Sequence, residues 1–416
     1  MKGYQFEDTQ GTFHLKKAEN ISYLYFPIAG EAGLKSSLTP NLGGDAKIDQ
    51  NTFLLEPVSA ENLVNNRNSR NFWCNVKGIG SWSLTGNAAE ALSKKFTEMQ
   101  DDSEVTAGFM WQKTTRESKK YQLRGEILSF IPVDKNVEIM LVTITNTGRM
   151  AQTVTPTAAI PLYGRSADNI RDHRHVTSLL HRIETTDTGV LVTPTLSFDE
   201  RGHQVNHMTY YCVGWSGNGE KPVDFYPTAE DFVGEGGNFE RPYAIVKNAE
   251  GVKAGTRIEG LEAVGGLHFS EITLEPEEEC SYLIFTGITE DIQEIRNLSK
   301  TYTTREKVLE ELEKTKAYWQ EKVNVAYHTG DSDFNQFMHW VSFQPILRRI
   351  YGCSFLPHHD YGKGGRGWRD LWQDCLALLI MNPDGVRQML LDNFAGVRID
   401  GSNATIIGSK QGEFVA

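Results

Sequence analysis

The residues best suited to chemistry lie at the start of a predicted helix near the carboxyl end of the chain. Arg369 and Gln373 are spaced i, i+4, as are Asp370 and Asp374, so four polar side chains crowd two helical turns. Carboxylates accept hydrogen bonds from neighbouring hydroxyls, an arginine donates a planar fork, and an amide does both. The apolar run Cys375–Met381 predicts that the helix is buried further along. We therefore expect the polar turns to face a cavity that binds a polyhydroxylated ligand such as a sugar.

The same residues have a purely structural interpretation. Asp370 and Asp374 suit the amino-terminal end of a helix because carboxylates there oppose the positive end of the helix dipole. An ion pair between Arg369 and one of these aspartates would satisfy the rest of the cluster. Spacing alone leaves the two interpretations open.

The segment just before this helix suggests other ligands less strongly. His358, His359 and Asp360 are metal-ligand types, but the side chains of adjacent residues point apart and no third ligand has suitable spacing. Residues 362–367 are rich in glycine, yet they lack the pattern of a nucleotide-binding phosphate loop. We predict no metal and no nucleotide here.

A second polar cluster, Arg171–His175, lies within the predicted β region. It is either a functional loop that reaches towards a site or a solvated polar loop, and the second interpretation is favoured.

Composition excludes several classes of protein. The net charge is −12 and no basic cluster interrupts the sequence, which argues against nucleic-acid binding but allows a local arginine pocket for a small anion. The five scattered cysteines form neither a disulfide framework nor a zinc site and are typical of a reducing compartment. The amino terminus lacks the apolar core of a signal peptide, and no run approaches the roughly 18 apolar residues of a membrane span. We expect a cytoplasmic protein without membrane contact.

The elements that position the cluster follow a long β-rich region, from the start to about residue 285. Strands are predicted over 21–26, 137–146, 190–194 and 280–285. The continuous apolar character of 137–146 predicts burial on both faces. Many short strands over this length indicate a large sandwich of antiparallel sheets.

Helical periodicity begins after this region. Thr303 and Glu306 have the spacing of a capping box for a helix over about 303–323, which would link two domains. A second helix is predicted from about residue 331, with an apolar stripe of Phe334, Phe337 and Val341, and Pro345 would kink or divide it.

Two further helices complete the pattern. One runs from Trp368 to about Met381, and the other starts at Pro383, a favoured first-turn residue.

The segment Gly367-Trp368-Arg369-Asp370 followed by Gln373-Asp374 resembles the G-[YFW]-R-D-x-x-Q-D motif of the inverting disaccharide phosphorylases of glycoside hydrolase family 94. The order of regions is also similar to that family. The resemblance implies a β + α multidomain fold with a large antiparallel β-sandwich (a supersandwich) over 1–288. A helical linker would cover 289–328, and 329–416 would begin an (α/α)6 barrel.

The resemblance also implies a reaction. Phosphate attacks the anomeric carbon of a β-linked gluco-oligosaccharide with inversion, which gives an α-sugar 1-phosphate and needs one general acid but no second catalytic carboxylate. Inorganic phosphate is then a co-substrate, no other cofactor is needed, and a homodimer is plausible. The sugar subsite would be lined by five residues: Trp368, Arg369, Asp370, Gln373 and Asp374. Arg369 and Asp374 would be direct sugar ligands, and Asp370 and Gln373 would either bind or orient.

The family places its general acid well downstream of this motif, so we expect that residue beyond Ala416 and no catalytic residue within the chain. The chain would then be a fragment or a truncated product, inactive by itself. Two alternatives remain open: a non-catalytic carbohydrate-binding or assembly module, and an inverting glycoside hydrolase of the same architecture.

Overall fold

Strands dominate the chain as far as Thr289 in the computed structural model, which describes residues 3–21, 24–59, 63, 66–199, 202–351, 366–407 and 414–415. In chain order the strands are β1 (Tyr4–Phe6), β2 (Phe13–Lys16), β3 (Phe26–Ala29), β4 (Lys35–Leu38), β5 (Ala46–Asp49), β6 (Thr52–Leu55), β7 (Asn71–Val76), β8 (Gly80–Ser83), β9 (Asp102–Gly108), β10 (Trp111–Ser118), β11 (Leu123–Phe130), β12 (Val137–Asn146), β13 (Gln152–Leu162), β14 (Arg182–Thr185), β15 (Gly189–Val192), β16 (Leu196–Asp199), β17 (Gly202–Val205), β18 (Thr209–Ser216), β19 (Asp224–Thr228), β20 (Arg257–Glu259), β21 (Ala263–His268), β22 (Ile272–Leu274), β23 (Glu279–Thr289), β24 (Arg366–Gly367), β25 (Ile406–Ile407) and β26 (Phe414–Val415).

The longer helices follow the strand-rich region. In chain order the helices are α1 (Ala89–Ser93), α2 (Arg174–Thr177), α3 (Ala229–Val233), α4 (Tyr243–Lys247), α5 (Ile292–Thr301), α6 (Arg305–Lys322), α7 (Ser332–Tyr351), α8 (Trp368–Met381) and α9 (Val386–Phe394). None of the helices in the described ranges is both long and apolar enough to cross a membrane.

Two antiparallel sheets form the sandwich. The larger has eleven strands in the order β1-β2-β9-β10-β11-β12-β23-β18-β15-β14-β20, and the smaller runs β19-β21-β13-β7-β8 with β22 alongside β13. A further sheet of β3-β4-β5-β6 completes this half of the molecule. The core lies between the sheets, where Phe72 of β7 meets Tyr282 of β23 with ring centroids 5.7 Å apart.

Strand β12 is buried along its whole length, as its sequence predicts. Met140, Val142 and Ile144 point into the core between the sheets, while Ile139 and Leu141 point to the opposite face. That second face is covered by α5 and α6, which contribute four buried aliphatic side chains, namely Ile295, Leu298, Val308 and Leu312. The strand lacks the alternation of a half-exposed strand because both of its faces exclude water.

The helices α7, α8 and α9 share another core with the edge of the sandwich. Trp340 of α7 donates its indole N–H to the carbonyl of Gly11 at 2.8 Å, and its ring lies 4.7 Å from that of Phe109. Tyr351, the last residue of α7, places its hydroxyl 2.7 Å from the carbonyl oxygen of Ser36. Trp340 and Tyr351 each anchor α7 through an apolar aromatic ring that packs and a polar group that donates a hydrogen bond.

Several local predictions need correction. The strand predicted over 21–26 starts only at Phe26, because Ile21 closes the preceding 3-10 turn by donating its N–H to Ala18; Ser22 and Tyr23 lie outside the described residues. The predicted capping box is wrong because Thr304, and not Thr303, is the N-cap residue of α6. Strands over 137–146 and 190–194 are confirmed within two residues at their ends, and the strand predicted over 280–285 is confirmed as part of β23, which continues to Thr289.

The helices differ in detail from the predictions, and the predicted alternative of a kink at Pro345 stays a prediction. Helix α7 continues through Pro345 without dividing, and it buries Phe343, Ile346 and Leu347 while the predicted stripe at Phe334 is exposed. Helix α5 was not predicted. Helix α9 starts at Val386 because Gly385 adopts a left-handed conformation, with φ 77°, that stops a helix from starting at Pro383. The proposed domain boundaries at 288 and 328 stay predictions.

Candidate functional site

Helix α8 carries the polar cluster, and its first residue is held by a small sheet. Strand β24 pairs antiparallel with β25, and the N–H of Trp368 donates to the carbonyl of Thr405 at 3.0 Å. The helix then buries Leu371, Cys375 and Leu378 in the core shared with α7. These contacts fix both the start and the rotation of the helix, and therefore the direction of each polar side chain.

Asp374 is the buried member of the cluster. Its side chain is 3% exposed, and Nε of Arg348 on α7 donates to both carboxylate oxygens at 2.8 Å. A second donor, Nη2 of the same guanidinium, also contacts Oδ1. The hydrogen bonds that Arg348 donates to Asp374 raise the pKa of Arg348 above its ordinary value. This two-pronged ion pair therefore joins α7 to α8.

Arg369, Asp370 and Gln373 lie on the open side of α8. The side chain of Arg369 is 83% exposed, and its guanidinium donates through Nε and Nη2 to Oδ1 of Asp370, at 3.2 and 3.1 Å. Gln373 is exposed one turn further along. The guanidinium of Arg369, the carboxylate of Asp370 and the amide of Gln373 thus lie close together near the amino-terminal end of α8. The helix dipole there also favours electron-rich ligand atoms.

Trp368 and Trp372 support this surface from the side. The indole N–H of Trp368 donates to the carbonyl of Asn393 at 3.3 Å, and its ring meets that of Trp372 edge-on at 5.7 Å. Trp372 in turn meets Phe394 of α9 edge-on at 4.7 Å. The aromatic series ties α8 to α9 and leaves Trp368 only partly accessible.

The structure brings the predicted residues onto the first two turns of α8 but directs them differently. Among the described residues, the side chain of Arg369 is 83% exposed, whereas Arg348 holds Asp374 in the interface between α7 and α8. The assignment of these residues to a sugar site stays a prediction. Arg348 was missed by sequence reasoning. The available signal was the pair Arg348-Arg349 directly after Pro345-Ile346-Leu347. Cations at the end of a helix favour its dipole, but an arginine beside an apolar face needs a partner.

The other predicted clusters lie partly outside the described residues. His358, His359, Asp360 and most of the glycine-rich loop lie outside the described residues. Within the described ranges, no group of three or more histidine, cysteine and acidic side chains is placed to hold a metal ion. In the Arg171–His175 segment, Arg174 forms ion pairs with Glu56 and Glu262, so this loop is more than a freely solvated turn.

Comparison with known proteins places most of the chain in one family. The sequence model of the glycosyl hydrolase 94 supersandwich domain matches residues 57–305, more than half of the chain. The cyclic β-(1,2)-glucan synthase NdvB of Rhizobium meliloti (strain 1021) is 26% identical over 194 residues, which are 46% of this chain and 6% of that protein.

Two solved structures share the fold. A bacterial glucoamylase complexed with acarbose superposes with a TM-score of 0.52 at 10% identity, over 94% of this chain and 52% of that one. A protein from the human microbiome assigned as a kojibiose phosphorylase superposes with a TM-score of 0.51 at 9% identity, over 94% of this chain and 49% of that one. The chain thus spans about half the length of these structures. The predicted fold class, a large antiparallel β-sandwich followed by helices of an (α/α)6 barrel, is confirmed.

Proposed function

Because the chain belongs to the glycosyl hydrolase 94 supersandwich family of carbohydrate-active enzymes, we propose that it forms part of a glycoside phosphorylase. The reaction is the reversible phosphorolysis of a β-linked gluco-oligosaccharide with inversion, which yields an α-sugar 1-phosphate. The observation that carries the proposal is the family match over 57–305 followed, at the start of α8, by the G-W-R-D-x-x-Q-D motif. Inorganic phosphate is the co-substrate, and the homodimer implied by the resemblance stays a prediction.

The exposed polar surface of α8 supplies the sugar contacts in this proposal. Arg369 and Asp370 already form a donor and acceptor unit, with Nη2 and Oδ1 3.1 Å apart, which matches two adjacent hydroxyls of a pyranose. Gln373 adds an amide on the same side of the helix, and Trp368 bounds the surface where its ring is accessible. These four residues bind the non-reducing sugar next to the bond that breaks.

Asp374 takes a different role from the one its motif position first suggests. Both of its oxygens accept hydrogen bonds from Arg348, and its side chain is only 3% exposed, so a sugar hydroxyl has little access to it. We assign Asp374 as a positioning residue that sets the rotation of α8 and hence the direction of Arg369. The proposal assigns the general acid to the family's downstream position and not to Asp374.

The chemistry requires one proton donor and one anionic nucleophile. A phosphate oxygen attacks the anomeric carbon while the glycosidic bond breaks on the opposite face, and a general acid protonates the leaving oxygen. The chain's own residues hold the sugar ring, and the family pattern assigns the acid to the downstream helices of the barrel.

The test is phosphate release from α-glucose 1-phosphate in the presence of a panel of sugar acceptors. It is run on this chain and on a version extended by the remaining barrel helices. The proposal expects release from the extended protein with at least one acceptor. Release of free glucose from oligosaccharides in phosphate-free buffer would instead identify an inverting hydrolase. Sugar binding without turnover in both proteins would favour a carbohydrate-binding module.

A further inference from the structure

A small recess lined by arginines lies in the sandwich, away from the polar surface of α8. Its walls come from the end of β13, from α2 and from the residue before β21, and none of its lining residues belongs to α7, α8 or α9. Six side chains define what we call the arginine pocket: Glu56, Arg67, Tyr163, Arg165, Arg174 and Glu262. The backbone around it is tied to β6, since the N–H of Tyr163 donates to the carbonyl of Leu54 at 2.8 Å and Arg165 forms a β-bridge with Phe53.

The carboxylates of the arginine pocket hold its guanidinium groups unequally. Glu262 accepts from Arg67 at 3.1 Å and from Arg174 at 3.3 Å, and Arg174 also pairs with Glu56. Arg165 has only a 3.9 Å approach to Glu262, beyond hydrogen-bond distance. Arg165 is therefore the arginine of this pocket that the carboxylates of the described residues hold least closely.

Two buried hydrogen-bond donors in the arginine pocket indicate that the pocket can bind an acceptor. Tyr163 and Arg165 are each 5% exposed, and neither the Tyr163 hydroxyl nor Nε of Arg165 has a hydrogen-bond partner among the described residues. The guanidinium carbon lies 5.1 Å from the centre of the tyrosine ring, so both donors belong to one locality. Burial also lowers the pKa of Arg165. Buried donors, above all charged ones, are costly without an acceptor.

The free space of the arginine pocket suits an acceptor of limited size. The cavity is ≈ 20 Å³, which holds one oxygen-sized group. Arg67 and Arg174 are partly exposed at its mouth, with side chains 43% and 35% accessible. A ligand can therefore insert one oxygen between Tyr163 and Arg165 while its other oxygens stay among the outer guanidinium groups. Arginine forks bind phosphate oxygens in this way.

We propose that the arginine pocket is a binding site for a phosphate group, separate from the sugar site on α8. The ligand is inorganic phosphate or the phosphate of a sugar monoester, and the arginine side chains of the pocket recognise it together with the unsatisfied donors of Tyr163 and Arg165. This proposal does not depend on the reaction assigned to the protein, because no residue of the pocket contributes to the sugar site.

The experiment is calorimetric titration of the full chain with inorganic phosphate, at an ionic strength held constant with chloride. Saturable binding is expected for the wild type. Tyr163→Phe removes only the hydroxyl and should weaken binding about tenfold, the value of one hydrogen bond to a charged group. Arg165→Gln should abolish binding. A parallel titration with glucose 6-phosphate decides the source: tighter binding than inorganic phosphate indicates a sugar monoester, and weaker binding indicates the free ion.

Two control variants test whether phosphate binding belongs to the arginine pocket. Tyr302→Phe also removes a buried hydroxyl without a partner among the described residues, but at the end of α5, and should bind phosphate like the wild type. Arg369→Ala should also bind phosphate like the wild type. If Arg369→Ala loses phosphate binding while Tyr163→Phe retains it, the phosphate binds at α8 and the proposal is overturned.

Two other results would also overturn it. One is binding no tighter than that of chloride, as expected if the cavity holds only water. The other is equal binding by Tyr163→Phe and the wild type, a comparison that stands even if Arg165→Gln does not fold.

Discussion

Arg348 and Asp374 are 26 residues apart in the chain, yet Nε of the arginine lies 2.8 Å from both oxygens of the aspartate. The pair joins the middle of α8 to the last turn of α7, directly beneath the surface that presents Arg369. A residue of the recognised motif thus acts through a partner that the motif does not contain. The stability of the helical region and the geometry of the candidate sugar site should therefore depend on the same contact.

Breaking this pair should destabilise the helical region. Asp374→Asn and Arg348→Met are each expected to lower the free energy of unfolding by about 1–3 kcal/mol, a range reduced because Arg348 is partly exposed to solvent. A double-mutant cycle from urea unfolding should give a coupling energy of about 1–2 kcal/mol. A coupling energy below about 0.3 kcal/mol would show that the two helices dock without this contact. Asp370→Asn, which alters only the exposed pair with Arg369, serves as the matched control.

Removing the exposed guanidinium of Arg369 should impair sugar binding without changing the stability of the fold. Arg369→Ala is expected to change the free energy of unfolding by less than about 0.5 kcal/mol, because the side chain is 83% exposed. In a catalytically complete protein it should lower kcat/KM by at least about 100-fold through lost sugar contacts. Arg387→Ala, an exposed arginine on α9, is the control and should leave kcat/KM unchanged. Wild-type turnover by Arg369→Ala would refute the assignment of this surface.

The sandwich contains its own buried ion pair, between Arg70 and Glu138. Their side chains are 0% and 1% exposed, and Nε and Nη2 donate to the two carboxylate oxygens at 2.7 and 2.9 Å. Glu138→Leu or Arg70→Met alone should cost about 3–5 kcal/mol, because each leaves an uncompensated buried charge.

The double variant of this pair provides the control. Arg70→Met combined with Glu138→Leu should be less destabilised in urea than the sum of the single variants. Additive losses would mean that the two charges do not stabilise each other.

His181 should make stability depend on pH. Burial lowers its pKa to about 3, and Nδ1–H donates to the carbonyl of Leu261 at 3.2 Å. The unfolded chain takes up this proton near pH 6.5, whereas the folded chain does not until about pH 3. The contribution of His181 to the free energy of unfolding is therefore fully present above about pH 6.5. It decreases as the pH falls from there towards about 3.

The size of the loss is set by the interval between the two pKa values. From pH 7 to pH 5 the wild type should lose about 2 kcal/mol more than His181→Gln, measured by urea unfolding at each pH. His175→Gln, at an exposed histidine, should follow the wild-type curve. Parallel pH profiles for the wild type and His181→Gln would contradict the buried neutral histidine.

The sequence by itself determined those elements whose pattern of buried side chains can be read from the residues of the element alone. The mainly apolar run 137–146 became β12, buried on both faces, and the polar-then-apolar run from Trp368 to Met381 became α8 with those same ends. The motif at the start of α8 likewise pointed to the family that the comparison confirmed. In each case the information lies within about a dozen neighbouring residues, where backbone geometry fixes which side chains share a face.

Tertiary structure alone decided which of these side chains meet partners from elsewhere in the chain. Spacing placed Asp374 beside Asp370 on α8 but could not reveal Arg348, because that contact depends on how α7 and α8 pack. The arginine pocket joins residues from Glu56 to Glu262, and Arg171–His175 could not by itself indicate that Arg174 would pair with both glutamates. Such contacts depend on sheet order and helix docking, which many distant residues determine together, so no short pattern encodes them.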